Sequence, residues 1–211
     1  DDLSKFDFKL SKMSKAGALF DMVKLHDISK TYISSMNTEE VYNSVEEWSK
    51  EYDSQLHKLI TDNVDYAKAI FSIERGNKKP RKDIGKWSEV KDYISYMYDE
   101  TFDGMYGWAD NVSDADKKAI LEKYIEIYNP DGTAEEWFPQ VQAMATELGF
   151  ASSPKEYKNE PESFKGHVGD VAGVIRVAVT GRLNTPDLYT IMQTLGADKV
   201  KARIAEAIEK I

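Results

Sequence analysis

Six basic residues fall within the twelve positions from Arg75 to Lys86, together with a single acid, Asp83. The four between the two ends are Lys78, Lys79, Arg81 and Lys82. Lysine and arginine neutralise phosphates and release counterions from nucleic acid, so this local excess of positive charge is a candidate phosphate-binding feature. Gly76 and Pro80 interrupt a regular helix, which predicts that the charges lie on a turn. A solvated loop that only keeps the protein soluble is the alternative interpretation.

The charge of the whole chain is unevenly distributed. The 211 residues carry a formal net charge of -9, and the segment 99–165 alone contains fifteen acidic and six basic residues. This segment would repel phosphates, so we expect it to face solvent or another protein rather than nucleic acid. The length suffices for one large domain or two small ones, and a hydrophobic content of 41% is ordinary for a globular protein.

The residue types that are missing exclude several kinds of site. The absence of cysteine excludes disulfides, zinc ribbons, iron–sulfur clusters and thiol nucleophiles, and it fits a reducing cytosol. The three histidines, His26, His57 and His167, lie far apart, which argues against a His-rich metal site. No apolar run approaches the roughly 20 residues that a membrane span needs. The chain opens with Asp1-Asp2-Leu3 and no initiator Met, so we expect a piece of a longer protein.

Motifs for catalysis fail when they are tested against their structural requirements. The string Gly166-His167-Val168-Gly169 is loosely similar to a nucleotide-binding signature, and Gly169 and Gly173 are four residues apart. Neither follows a strand and opens a helix in a βαβ unit, as phosphate binding requires. No Gly-x-Ser-x-Gly turn or Walker loop occurs, and no pair of acids stands out by an apolar setting. We therefore predict no catalytic residue and no metal site in this chain.

The spacing of apolar residues predicts helices nearly throughout the chain. The stretch 168–179 is rich in β-branched residues and would suit a strand, but nothing nearby alternates to pair with it, so a buried helix is favoured. The segment 104–111 breaks the pattern and is interpreted as a linker, and 152–165 as a loop with at most a short helix. Three further helices are predicted by range: 20–36, with a buried apolar stripe, about 62–74 and about 86–102. Five more are predicted from their N-terminal caps, which are Thr38, Ser113, Thr133, Thr185 and Asp198. In the helix capped by Thr185, Pro186 would occupy the first position.

Two blocks of the sequence resemble bacterial glutamyl-tRNA synthetases. Residues 8–21, F-K-L-S-K-M-S-K-A-G-A-L-F-D, are similar to the segment that follows the catalytic domain in that family. Residues 176–188, R-V-A-V-T-G-R-L-N-T-P-D-L, followed by Leu195-Gly196, are similar to its C-terminal anticodon-binding signature. Residues 79–83 fall where the family carries an Arg-rich anticodon loop, and the region 104–165 matches only in helical character.

The string Lys12-Met13-Ser14-Lys15 spells the ATP-loop motif of class I aminoacyl-tRNA synthetases. The resemblance places the ATP loop of the family further upstream, so here the string is interpreted as a coincidence.

The resemblance implies an all-α fold, the helical anticodon-binding cage of a class I synthetase. It implies that residues 1–37 are the end of the stem-contact region, that 38–104 form one helical anticodon-binding subdomain, and that 113–211 form a second. The Rossmann catalytic domain would be absent, so the fragment is expected to be inactive alone and to need no cofactor. The parent enzyme would use ATP and Mg to ligate glutamate to tRNA.

The resemblance also implies roles for individual residues. Arg81 aligns with the arginine that reads the third anticodon base in the family. The residue type suits this role, because a guanidinium can meet a base edge and a phosphate together. The residues that align around the first two bases are Arg176, Asn184, Thr185, Pro186 and Leu188. The lysines expected at phosphates are Lys78, Lys79 and Lys82, and those expected at the tRNA stem are Lys12 and Lys15.

The resemblance therefore implies a cytoplasmic, monomeric tRNA-binding fragment that reads the anticodon of tRNA(Glu), with tRNA(Gln) as a second candidate partner and no membrane partner. Two alternatives remain open. One is a helical protein-interaction module that kept a synthetase scaffold and binds partners through the acidic 99–165 segment. The other is the anticodon domain of a related class I synthetase, because the class I lysyl enzymes share the helical cage.

Overall fold

The computed structural model describes residues 21–211, together with Asp7, Lys9 and Ser11. Within this part of the chain the predicted all-α architecture is confirmed, and three short 3₁₀ turns accompany the α-helices. The helices are α1 (Met22–Ser35), α2 (Thr38–Tyr52), α3 (Ser54–Asp62), α4 (Val64–Ser72), α5 (Val90–Tyr93), α6 (Asp114–Ile127), α7 (Ala134–Glu147), α8 (Pro154–Asn159), α9 (Val168–Thr180), α10 (Leu188–Leu195) and α11 (Ala197–Glu209).

Helix α1 presents most of its apolar stripe to solvent, so the prediction that this stripe is buried is wrong. Val23 is 80% exposed and Tyr32 is 69% exposed, whereas Ile33 is buried. Burial of a stripe needs a surface that covers it. In its middle α1 contacts the chain through a polar side chain, since the Ser29 hydroxyl donates to the Gly85 carbonyl at 2.6 Å, whereas its apolar packing is limited to its end. There Arg75 donates hydrogen bonds to the carbonyls of Ile33 and Met36, at 2.8 and 3.0 Å.

Helices α2, α3 and α4 enclose the core of the first half. The cap of α2 is Asn37 rather than the predicted Thr38, since the Asn37 side chain accepts from the Glu40 N–H at 2.9 Å and the Glu40 carboxylate accepts from the Asn37 N–H at 2.7 Å. Helix α3 was not predicted. Asp53 separates it from α2 and caps it, because its carboxylate accepts from the Leu56 N–H.

The segment 86–102 does not form the single helix that its apolar spacing predicts. It consists of a 3₁₀ turn (Trp87–Glu89), the one-turn helix α5 and a second 3₁₀ turn (Ser95–Met97). Two carbonyls that a continuous helix would use accept from arginines of the second half instead. Arg182 donates to the Asp92 carbonyl at 2.9 Å, and Arg203 donates to the Tyr96 carbonyl.

Helix α9 forms the centre of the second half and packs against α6, α7 and α11. The prediction of a buried helix here is confirmed, since Val171, Ile175 and Ala178 have no exposed surface. Gly181 ends α9 with φ +74, a left-handed conformation that favours glycine, and its carbonyl accepts from the Gly107 N–H at 2.9 Å. The 104–111 segment lacks helix, as predicted, and this bond ties it to α9.

A single hydrophobic cluster runs from α1 to α11, and α4 contacts α10 across the two halves. The boundaries 38–104 and 113–211 stay predictions.

The segment 152–165 holds α8 and a 3₁₀ turn (Pro161–Ser163). Asp198 lies inside the first turn of α11 instead of capping it, because α11 begins at Ala197, directly after Gly196. Among the described residues, no helix combines the length and the apolar character that crossing a bilayer would require.

Candidate nucleic-acid interface

The basic loop, residues 75–86, leaves the end of α4 through a turn at Glu74, whose φ of +56 is left-handed. Its first residue, Arg75, anchors the loop instead of extending from it. Besides its two bonds to the end of α1, its Nε donates to the Phe71 carbonyl at 3.0 Å. Burial lowers the pKa of the Arg75 guanidinium, but an arginine remains charged, so its hydrogen bonds are charge-assisted.

The lysines of the basic loop lie on its outer side. All four are exposed, whereas Pro80, in the middle of the loop, is half-buried. They are Lys78, Lys79, Lys82 and Lys86. Exposed ammonium groups on a turn can approach a phosphate backbone without losing a contact inside the protein. The predicted turn is therefore present, and its cations are accessible.

Arg81 is only partly exposed and is surrounded by hydrogen-bond acceptors. Its Nε and Nη2 atoms donate to the two carboxylate oxygens of Asp83, at 2.7 and 3.0 Å. Nη2 also donates to the side-chain oxygen of Asn184, at 3.1 Å. The hydrogen bond to Asp83 raises the pKa of Arg81. Nη1 donates no hydrogen bond to any residue that the structure describes, so two N–H groups remain for a ligand.

The α9–α10 loop, residues 181–187, lies beside the basic loop. Arg176 on α9 holds it in place, because its Nη1 donates to the carbonyls of Thr185 and Pro186, at 3.2 and 2.6 Å, and to the Thr185 hydroxyl. Burial lowers the pKa of Arg176. The hydrogen bonds of Arg176 therefore position the backbone of the α9–α10 loop.

The cap of α10 differs from the prediction. Asp187, not Thr185, is the N-cap, and its carboxylate accepts from the Thr190 N–H at 2.7 Å. Pro186 therefore precedes the helix instead of occupying its first position. The half-buried Arg176 donates to the Thr185 hydroxyl, which explains why that hydroxyl does not cap the helix.

The predicted anticodon-binding side chains differ in exposure. Asn184 is exposed, whereas Thr185 is 6% exposed, Leu188 is 1% exposed and Pro186 is buried. The buried side chains support the loop, and its exposed side chains are those of Leu183, Asn184 and Asp187. Lys12 and Lys15 lie outside the described residues.

Two contacts join the basic loop to the α9–α10 loop. One is the hydrogen bond from Arg81 to Asn184, and the other runs from the Asp187 N–H to the Glu74 carboxylate at 3.1 Å. The same Glu74 carboxylate lies 3.8 Å from the Arg81 Nε. Sequence reasoning did not single out Glu74 or Asp83. The available signals were that Glu74 directly precedes the basic run and that Asp83 is the single acid within it, and neither specifies which groups the carboxylate contacts.

Residues 81–208 match the family model described as "Anticodon binding domain". This chain belongs to the anticodon binding domain family. The matched range begins at Arg81 and includes Arg176 and the whole α9–α10 loop, so most of the geometry described above lies inside the family's domain. Lys78 and Lys79 precede the matched range by two or three residues.

Curated relatives of this anticodon-binding domain are glutamate–tRNA ligases. The chain is 40% identical over 203 residues to the enzyme of Acetivibrio thermocellus, 43% identical over 212 residues to that of Clostridium perfringens, and 39% identical over 204 residues to that of Sorangium cellulosum. Each alignment covers 96% of this chain but only 36–38% of the relative. The chain thus spans little more than a third of the length of these ligases and corresponds to their C-terminal portion.

Among the residues described, no group of three or more histidine, cysteine, aspartate or glutamate side chains is arranged to hold a metal ion. The two loops instead bring exposed lysines and the Asn184 amide to one surface, which is joined by the bond from Arg81 to Asn184.

Proposed function

We propose that this chain is the tRNA-binding portion of a glutamate–tRNA ligase and that it reads the anticodon of tRNA(Glu). The observation that supports this most strongly is the convergence of two segments that lie about a hundred residues apart. Arg81 contacts Asn184 and Glu74 contacts Asp187, so the basic loop and the α9–α10 loop form one surface. A single-stranded loop of RNA can meet both at once.

The two loops offer different chemistry to such a ligand. The exposed lysines Lys78, Lys79 and Lys82 neutralise phosphates, which supplies affinity but no sequence information. The Asn184 side chain is exposed, and the Nη1 group of Arg81 has no acceptor among the described residues, so in this proposal both hydrogen-bond the edges of unstacked bases. We assign the third anticodon base to Arg81, and the first two to the surface formed around Arg176 and Asn184.

The buried side chains Thr185, Pro186 and Leu188 act in this proposal by shaping the backbone that faces the first two bases. Lys12 and Lys15 contact the tRNA stem. The chain acts as a monomer in the cytoplasm, and tRNA(Gln) is a second candidate partner.

The catalytic step belongs to the rest of the parent enzyme, which in this proposal joins glutamate to tRNA at the expense of ATP with Mg²⁺. This chain carries no candidate nucleophile or acid–base pair in its sequence. We therefore expect it to bind tRNA without a cofactor and without aminoacylating it.

The direct test is a binding titration with transcripts of tRNA(Glu), of tRNA(Gln) and of a tRNA with an unrelated anticodon, each at two salt concentrations. We expect tRNA(Glu) to bind most tightly and the affinity to fall with salt. Arg81→Ala should reduce the preference for the cognate anticodon by about tenfold, because hydrogen bonds to charged groups are worth ~1.5–3 kcal/mol.

Lys118→Ala is the matched control, since Lys118 is an exposed cation in the acidic segment, and it should leave that preference unchanged. Equal binding of all three RNAs by the unmodified chain would refute anticodon reading and favour a protein-interaction module.

A further inference from the structure

The guanidinium of Arg81 is held by carboxylates on one side, which is unusual for a group assigned to RNA. Asp83 meets both Nε and Nη2, and Glu74 lies 3.8 Å from Nε. Two carboxylates against one guanidinium give this small cluster a formal charge of -1. The cluster as a whole therefore does not attract phosphate, and the two acids must be explained by something other than affinity for RNA.

We propose that Asp83 and Glu74 are positioning residues that fix the orientation of the Arg81 guanidinium and thereby sharpen its choice among anticodon bases. This inference rests on the proposed function. A guanidinium has five N–H groups in one plane, and Asp83 and Asn184 occupy the three on Nε and Nη2. The pair on Nη1 is left pointing in a single direction, so only a base whose acceptors lie along that direction is satisfied.

The position of Asp83 is itself determined by a second element. The hydroxyl of Tyr93, on α5, donates to the Asp83 carboxylate at 3.3 Å. Burial raises the pKa of Tyr93, so this hydroxyl keeps its proton and remains a donor. A series of contacts thus runs from α5 through Asp83 and Arg81 to Asn184 on the α9–α10 loop.

Glu74, directly before the basic loop, restrains the same arrangement through its contact with the α9–α10 loop. A φ of +56 is an uncommon conformation for a non-glycine residue, and it persists where the surroundings determine it. Here its carboxylate accepts from the Asp187 N–H and lies next to Arg81. Glu74 therefore fixes the distance between the base-reading arginine and the loop that follows α9.

Positioning and simple electrostatics make opposite predictions for the same variant. Asp83→Asn removes a negative charge from an RNA-binding surface, so electrostatics alone would tighten binding to every RNA equally. Positioning predicts instead that the affinity for a wrong third base rises more than the affinity for tRNA(Glu). The ratio of affinities for tRNA(Glu) and for a transcript altered only at the third anticodon base should fall by about fivefold or more.

The experiment measures that ratio for the unmodified chain and for Asp83→Asn, Glu74→Gln and Asp83→Glu. Glu74→Gln retains an oxygen for the Asp187 N–H but loses the charge, and it should reduce the ratio less than Asp83→Asn does. Asp83→Glu restores a carboxylate and should recover part of the ratio. Asp131→Asn, the same chemical change at an exposed turn, is the control and should leave the ratio unchanged.

A lower ratio in Asp83→Asn and Glu74→Gln with partial recovery in Asp83→Glu supports the proposal. An unchanged ratio in either neutralised variant, or an equal loss of affinity for both RNAs, overturns it. If the unmodified chain itself does not distinguish the two transcripts, the proposed function fails as well, and that result is seen before any variant is measured.

Discussion

Whether a cation on this surface can bind a ligand depends on how many hydrogen-bond acceptors of the protein already surround it. Arg176 and Arg75 donate mostly to backbone carbonyls and therefore fix the loops that they contact. Arg81 keeps one side of its guanidinium uncommitted toward the described residues, and the exposed lysines of the basic loop retain their full hydration. Charge counting along the sequence treats all of these residues as equal, but the structure separates the anchoring arginines from the cations that remain accessible.

The salt dependence of RNA binding tests this separation. Each of Lys78→Ala, Lys79→Ala and Lys82→Ala should reduce the slope of log affinity against log salt by ~0.7, the value for one phosphate contact on a single strand. Lys118→Ala, in the acidic segment, should leave the slope unchanged. Fluorescence-anisotropy titrations of tRNA(Glu) at four salt concentrations measure the slope, and equal slopes for all four variants would contradict the assignment.

Helices are positioned here by arginines that reach across the two halves of the chain. Arg203 of α11 is 3% exposed, donates to the carbonyls of Tyr96 and Val179, and lies over the Phe102 ring with 4.1 Å from its guanidinium carbon to the ring centroid. It thereby joins the segment after α5 to the end of α9. That junction supports the α9–α10 loop, which leaves α9 a few residues further on.

Arg203→Met should lower the free energy of unfolding by ~3 kcal/mol, because the change leaves two buried carbonyls without a donor. Urea denaturation followed by circular dichroism measures the loss. Lys201→Met, an exposed position on the same helix, is the control and should change the midpoint little. A stability of Arg203→Met equal to that of the control would contradict the role given to this arginine.

The sequence predicted secondary structure correctly where the local pattern of apolar residues determines it. Helix α9 was predicted because a long apolar run without a pairing partner favours a buried helix. Segment 86–102 was predicted as one helix, and it is broken because its carbonyls accept from Arg182 and Arg203, which lie about ninety and one hundred residues further along the chain. Apolar periodicity carries no information about such distant donors.

The same limit applies to the candidate site. The exposure of the basic-loop lysines followed from Gly76 and Pro80, which exclude a regular helix. The enclosure of Arg81 by Asp83, Asn184 and Glu74 depends on the approach of two loops, which no local pattern specifies.

Two aspartates, Asp99 and Asp116, form surface ion pairs whose strength depends on pH. Burial alone would raise the pKa of Asp99, but hydrogen bonds with Lys199 and Arg203 of α11 hold it below its usual range. The hydrogen bond with Lys165 likewise lowers the pKa of Asp116 in α6. A carboxyl whose folded pKa is depressed stabilises the protein above its unfolded pKa of about 3.9, and this contribution disappears as the pH falls through the folded pKa.

We therefore expect the contribution of these two carboxylates to be constant from pH 7 to about 5 and to decline below about pH 4. Asp116→Asn should weaken that decline by less than about 1 kcal/mol, because the pair lies at the surface and is screened by solvent. Thermal unfolding at several pH values measures the effect, with Asp131→Asn as control. A decline of the same size in Asp116→Asn and the unmodified chain would contradict the prediction.

Anticodon binding by the molecule as a whole requires that two distant parts of the sequence bind one stretch of RNA. The most direct measurement follows backbone amide NMR signals while an anticodon stem-loop of tRNA(Glu) is added. We predict that signals from the basic loop and from the α9–α10 loop shift together, with one dissociation constant, while those of α6 and α7 in the acidic segment stay in place. Shifts confined to only one loop, or concentrated in the acidic segment, would contradict the shared surface on which the proposed function depends.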